Sequence, residues 1–152
     1  MQNYQRYRIW LKKGEITNKK LLYPEDKKIS TFIKPSTEKE LSKLYVIKHQ
    51  GKIVYVGITK QSISNRLRHG LKAKGKKGYW GYKWKNLKSV DLYIFTFKKN
   101  IASIEAIEAE IVYLVRNKTG RWPEFQTEIH FHNSTKEEGD IARKIFNIVE
   151  HR

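Results

Sequence analysis

The chain has 152 residues, 39% of them apolar, no cysteine and a formal net charge of +17. That length suits one domain, the missing cysteine excludes disulfides and thiolate metal sites, and no apolar run approaches the roughly 18 residues of a membrane span. A charge so far beyond what solubility favours implies a polyanionic partner bound with salt-dependent affinity.

The first residues, Met1-Gln2-Asn3-Tyr4-Gln5-Arg6, lack the apolar centre of a secretory signal, so the expectation is a cytoplasmic protein without a membrane partner. Residues 1–36 are basic and aromatic, with Tyr4, Tyr7, Trp10 and Tyr23 among lysines and with Pro24 and Pro35 as punctuation. Residues 9–11 read as a short strand or a turn of helix. The whole segment reads as an arm that docks on the core or on nucleic acid, or as a partly ordered leader. Residues 37–134 form the expected core, opened by Thr37-Glu38-Lys39-Glu40, a capping-box pattern for one helical turn. Two β-rich runs at 44–48 and 53–56, separated by a Gly51-containing turn, suit a hairpin.

From Ser62 the period changes: Ile63, Leu67 and Leu71 recur at helical spacing, Gly70 weakens that helix, and Gly75 and Gly78 end it. Residues 74–88 form a loop of lysines, glycines and aromatics, 90–97 a third strand, and 101–116 the clearest helix, closed by Gly120 and Pro123. Residues 125–132 read as extended. A last helix over 135–149, with Thr135 and Glu138 as a capping box, packs on the core as a C-terminal element of residues 135–152.

Between residues 41 and 90 the chain carries thirteen lysines and arginines and no carboxylate. Lysine clusters are ordinarily solvated faces, but Trp80 and Trp84 have no reason to lie in a purely solvated loop. They pack on the sheet, or they stack or wedge against bases. The residues expected to contact DNA are Lys60, Arg68, Lys72, Lys74, Lys76, Lys77, Trp80, Lys83 and Lys85.

Tyr45 and Tyr55, taken alone, are ordinary strand residues. Arg66 and His69 lie one turn apart on one helix face. Glu108 is the unusual carboxylate: at about 100° per residue it falls inside the apolar stripe of Ile104, Ile107, Ile111, Leu114 and Val115. A carboxylate on a core side needs a partner, and a divalent cation or an arginine would serve. His130, His132 and Glu128 make a weak metal pattern. Residues 126–133 read more naturally as an active-site rim that touches DNA.

The order Leu44-Tyr45-Val46, Tyr55-Val56-Gly57, Arg66 with His69, Glu108 and Gln126 resembles the GIY-YIG endonuclease family over residues 43–126. The resemblance implies an α/β fold with a small three-stranded antiparallel sheet flanked by helices, here with an N-terminal arm and a C-terminal helix. It implies metal-dependent hydrolysis of a DNA phosphodiester. Tyr45 and Tyr55 stand at the two motif tyrosines, Arg66 at the helix arginine and His69 at a histidine of some members. Glu108 stands at the carboxylate that holds Mg²⁺ (or Mn²⁺), and Gln126 where most members have asparagine, with Asn133 as the other candidate.

Three departures stand out. Lys43 and Leu44 replace Gly-Ile, Arg66 lies eleven residues after Tyr55 so that a one-residue bulge is expected before the helix, and Gln126 replaces asparagine. On this reading Tyr45 is the general base, tuned by Tyr55 and His69, and Arg66 clamps a non-bridging phosphate oxygen. The partner is double-stranded DNA. Cutting both strands calls for a homodimer, as in a type II restriction enzyme. The alternatives are a mobile-element nicking enzyme, a structure-specific repair or junction nuclease, and a basic DNA- or RNA-binding protein without catalysis.

Overall fold

A computed structural model describes residues 4–97 and 103–152. Its centre is a six-stranded sheet in the order β3-β2-β1-β6-β4-β5, with every neighbouring pair antiparallel. The strands are β1 (Tyr4–Lys12), β2 (Glu15–Tyr23), β3 (Lys27–Lys28), β4 (Ser42–His49), β5 (Lys52–Thr59) and β6 (Ser89–Phe97). Among the described residues three α-helices complete the fold: α1 (Ile63–Lys72), α2 (Ile104–Thr119) and α3 (Lys136–His151).

The expected small three-stranded sheet is therefore wrong. The segment expected as an arm supplies three further strands, with β1 seated between β2 and β6. The alternation in β1 is present but disguised. Tyr7, Ile9 and Leu11 face one core, while Arg6 and Arg8 occupy the other face and bind Asp91 of β6 at 2.6 and 2.8 Å. Burial alone would raise the Asp91 carboxyl; the bonds from Arg8 and Arg6 outweigh it and hold the group below the ordinary range.

The sheet separates two cores. On one face α1 buries Ile63, Leu67 and Leu71 against Tyr7, Ile9, Tyr45, Ile47 and Leu92. On the other, α2 brings Ile107, Ile111 and Val115, and α3 brings Ile141, Ile145 and Val149, against Leu44, Val46, Val56 and Phe95. α3 starts on the full Thr135–Glu138 capping box, and Glu138 also accepts from the Ser103 amide at 2.7 Å, joining the starts of α2 and α3.

Other expectations need correction. Thr37 opens no helical turn; residues 34–37 form a turn in which the Glu38 amide bonds to the Pro35 carbonyl. α2 begins at Ile104 on the Ser103 cap, and Ile101 and Ala102 of the expected helix lie outside the described residues. The bulge expected before α1 is not there: β5 runs to Thr59 and Ser62 caps the helix, while the irregular pairing of β4 with β5 falls between Ile47 and Lys48. Residues 125–132 form no strand. Among the described residues no helix is long and apolar enough to cross a membrane.

Candidate active site

The β4–β5 register pairs Tyr45 with Gly57 and Ile47 with Tyr55, so both tyrosines stand on the α1 face. Tyr45 is completely buried and Tyr55 half-buried, with ring centroids 6.0 Å apart. A third phenol joins them. Tyr82, from the loop after α1, shares a 2.7 Å hydrogen bond with Tyr45 through the two hydroxyls, and its centroid lies 5.4 Å from that of Tyr55. The Tyr82 ring also stacks on the fully buried Trp84 at 4.6 Å.

Sequence reasoning missed Tyr82. The available signal was Gly70, read there only as a weak point of the helix: any β-carbon at Gly70 would run into the Tyr82 ring. Trp84, one of the two tryptophans open to either role, is core.

Arg66 extends from α1 over this cluster. Its Cζ lies 5.0 Å from the Tyr82 ring centroid, and Nη1 donates to Tyr79 Oη at 3.2 Å. Tyr79 in turn stacks on His69, 5.1 Å away and 13° from parallel. His69 thus reaches the phenol cluster through Tyr79 and Arg66; its ring packs on Tyr79, not on Tyr45. Burial is the first cause that raises the hydroxyls of Tyr45, Tyr55 and Tyr82 above their ordinary value, and Arg66 opposes it in all three without prevailing. The Tyr82 neighbour raises Tyr45 further, whereas the bond from Tyr45 lowers Tyr82.

Outside Arg66 and His69 opens a cavity of about 810 Å³ lined by Asn65, Arg68, His69, Lys72, Ala73, Lys74, Lys76, Lys77 and Tyr79. Five of the residues expected to contact DNA face it, and no carboxylate does. Lys60 borders a separate recess with Lys39, Glu40 and Arg68. Lys83 is exposed and lines neither. Lys85 is committed to the backbone, with Nζ donating to the carbonyls of Ala73 (3.1 Å) and Trp80 (2.9 Å). Trp80 is 67% exposed.

Glu108 sits on α2, whose apolar side covers the opposite face of the sheet from Tyr45. It is half-buried, and among the described residues no lysine, arginine or histidine forms an ion pair with it, which removes the arginine alternative. Burial pushes its carboxyl up to about 7, with His130 opposing and Glu105 and Glu128 reinforcing. Its tie to the phenol cluster is electrostatic: the Glu108 charge contributes to the raised Tyr55.

Gln126 spends its amide on the edge strand. Oε1 accepts from the Val56 amide and Nε2 donates to the Val56 carbonyl, both at 2.9 Å, beside a Phe125 amide to Val54 carbonyl bond. It closes the open edge of β5 next to Tyr55, with one Nε2 hydrogen and one Oε1 lone pair left over. Asn133 is exposed in the segment before α3. His130 bonds to Glu128 at 3.1 Å while His130 and His132 stand 6.5 Å apart; among the described residues no group of three or more His, Asp or Glu is placed to hold a metal.

Comparison of the chain with protein-family models, with curated proteins and with solved structures finds no match.

Proposed function

We propose that this chain is a divalent-metal-dependent endonuclease that hydrolyses DNA phosphodiesters with a residue set resembling that of the GIY-YIG family. The observation that carries the reading is the meeting of Tyr45, Tyr55 and Arg66, remote in sequence, at one contact cluster beside a carboxylate-free cationic groove. A core tyrosine needs neither an arginine against it nor a groove of lysines alongside.

Glu108 fits a divalent cation. It is a half-buried carboxylate, raised by burial and without an ion-pair partner among the described residues, and a hard cation would stabilise its charged form. One carboxylate with water and phosphate oxygens suits Mg²⁺ or Mn²⁺. Such a cation supplies, when bound, charge stabilisation at the leaving 3′ oxygen.

The remaining steps belong to the protein. Arg66 gives one N–H to Tyr79 and keeps others for a non-bridging phosphate oxygen. The oxygen of water adds to phosphorus and its proton passes to the base. The P–O3′ bond then breaks, and the 3′ oxygen takes a proton from solvent, leaving a 5′-phosphate. Burial keeps both Tyr45 and Tyr82 neutral in the free protein, so the base is the phenolate form of their hydrogen-bonded pair. The pair first loses one proton to solvent, with Arg66 favouring the charged form, and then takes the proton of the attacking water. Double-strand cleavage by a single-site chain of this kind calls for two copies.

A second reading, a basic nucleic-acid binder without catalysis, is favoured by the complete burial of Tyr45. Supercoiled plasmid incubated with Mg²⁺ or with chelator separates the two. Nicked or linear DNA only with metal, lost in Glu108→Ala and Tyr45→Phe proteins that still bind DNA, is the expected result. Binding without any Mg²⁺-dependent cleavage would leave the binder.

A further inference from the structure

We infer that the loop after α1 carries a stacking platform for an unpaired nucleotide, with Trp80 as the platform, so that the preferred DNA contains a base freed from its duplex partner. The inference rests on the nucleic-acid reading of the adjoining groove and deepens it by naming the substrate class.

Trp80 is the most exposed tryptophan, and its exposure is built rather than incidental. Trp84, four residues on, is wholly buried in the same loop, so this region can bury an indole. Trp80 instead lies on Gly75: a β-carbon there would meet its Cη2, Cζ2 and Cζ3 at 2.5, 2.6 and 2.7 Å. Gly75 has φ +96°, a conformation that only glycine adopts without strain, so the same residue supplies both the turn and the seat for the ring.

The loop is tied down on both sides of the ring. Gly75 donates to the Tyr79 carbonyl at 2.8 Å, Gly78 to the Gly75 carbonyl at 3.0 Å, and Lys85 Nζ to the Trp80 carbonyl at 2.9 Å. An indole held open by this many contacts offers a fixed flat surface at low ordering cost.

What lies beside it identifies the occupant. Lys74, Lys76 and Lys77 of the same loop line the groove together with Arg68 and Lys72 of α1. No carboxylate lines this groove, although Glu15 pairs with Lys72 at 3.5 Å from outside it; that disfavours a basic partner, and a purely apolar partner would leave the other four cations unused. A phosphodiester chain neutralises them and brings bases within reach of the indole, the pairing of basic track and aromatic platform by which proteins hold unpaired nucleotides. In an intact duplex the base faces are occupied by their neighbours. A bulged, flapped or junction nucleotide is not so constrained.

The test is equilibrium binding in chelator, where no cleavage occurs, to three labelled DNAs: a paired duplex, the same duplex with one bulged nucleotide, and that duplex with the bulged nucleotide abasic. The full chain should bind the bulge about tenfold more tightly than the abasic bulge. Trp80→Ala should erase that difference, and Trp80→Phe should retain part of it. Lys76→Ala with Lys77→Ala should weaken all three DNAs alike. Equal affinity for bulge and abasic bulge, or a preference untouched by Trp80→Ala, overturns the inference. Plasmid cleavage with Mg²⁺ is scored separately: cleavage without base dependence sinks only the platform, whereas absence of any DNA binding sinks both.

Discussion

The Tyr45 ring occupies the space a β-carbon on Gly57 would take, with Cζ 2.5 Å and Oη 2.6 Å from that position. The glycine that ends the Tyr55-Val56-Gly57 motif is therefore a steric requirement of the first motif's tyrosine. Gly57→Ala should cost about 1–3 kcal/mol and take DNA cleavage with it. In a Tyr45→Ala background the same change should cost clearly less, limited to the remaining approach of Tyr55 Cε2 at 2.9 Å. Denaturant unfolding of the four proteins gives the coupling directly; equal costs in both backgrounds would contradict this packing.

The hydrogen bond between the Tyr45 and Tyr82 hydroxyls predicts a second coupling. Tyr82→Phe strands the buried Tyr45 hydroxyl and should cost about 1–3 kcal/mol, whereas changing both residues to Phe should cost less than the sum of the singles. The same burial sets an alkaline limit. The folded protein keeps these phenols neutral, while the unfolded chain ionises them as pH passes the ordinary value of 10.0. Their contribution is thus intact below that pH and is lost above it. Unfolding midpoints at rising pH should fall less steeply for the double Phe protein.

That Tyr45 and Tyr55 stand on strands, Arg66 on the helix after them and Glu108 half-buried on α2 was legible because each placement depends on local spacing: β-rich runs in β4 and β5, helical period in α1, an apolar stripe in α2. Tyr82 was not, because its position depends on a hollow at Gly70 on another element, and a tyrosine among lysines carries no mark of that. β1 was misread for a related reason. Tyr7, Ile9 and Leu11 face one core and Tyr4 the other, and Arg6 and Arg8 on the Tyr4 face break the alternation until Asp91 of β6 is placed beside them. The anchoring of Gln126 on Val56 was not legible either, because the strand edge it closes is formed by residues seventy positions earlier.

That edge yields a third prediction. Gln126→Ala removes two hydrogen bonds to Val56, so hydrogen exchange at the Val56 amide should accelerate by at least about tenfold with a loss of stability of about 1–2 kcal/mol. Gln126→Asn, one methylene shorter, should recover only part of the protection. Unchanged exchange at Val56 in the Ala protein would show that the edge is closed by something else.

Glu108 sets the last. Burial raises its carboxyl to about 7 from an ordinary 4.5, so between those values the folded protein holds a proton that the unfolded chain has released. Stability must then fall as pH rises through that window, by at most about 3 kcal/mol. Asp91 and Glu138 are shifted the other way, so their contributions are lost only as pH falls below the ordinary carboxylate range. Glu108→Gln keeps the shape and removes the charge. It should lie flat where the natural chain slopes, melt higher at pH 8, and cleave no DNA. Millimolar Mg²⁺ at pH 8 should raise the melting temperature of the natural chain and leave the Gln protein unmoved, because a ligand stabilises only the state that binds it. Melts across pH 5 to 8, with and without Mg²⁺, read all of this in one series. If the two proteins shift together with Mg²⁺, the cation is held elsewhere and Glu108 loses its assigned role.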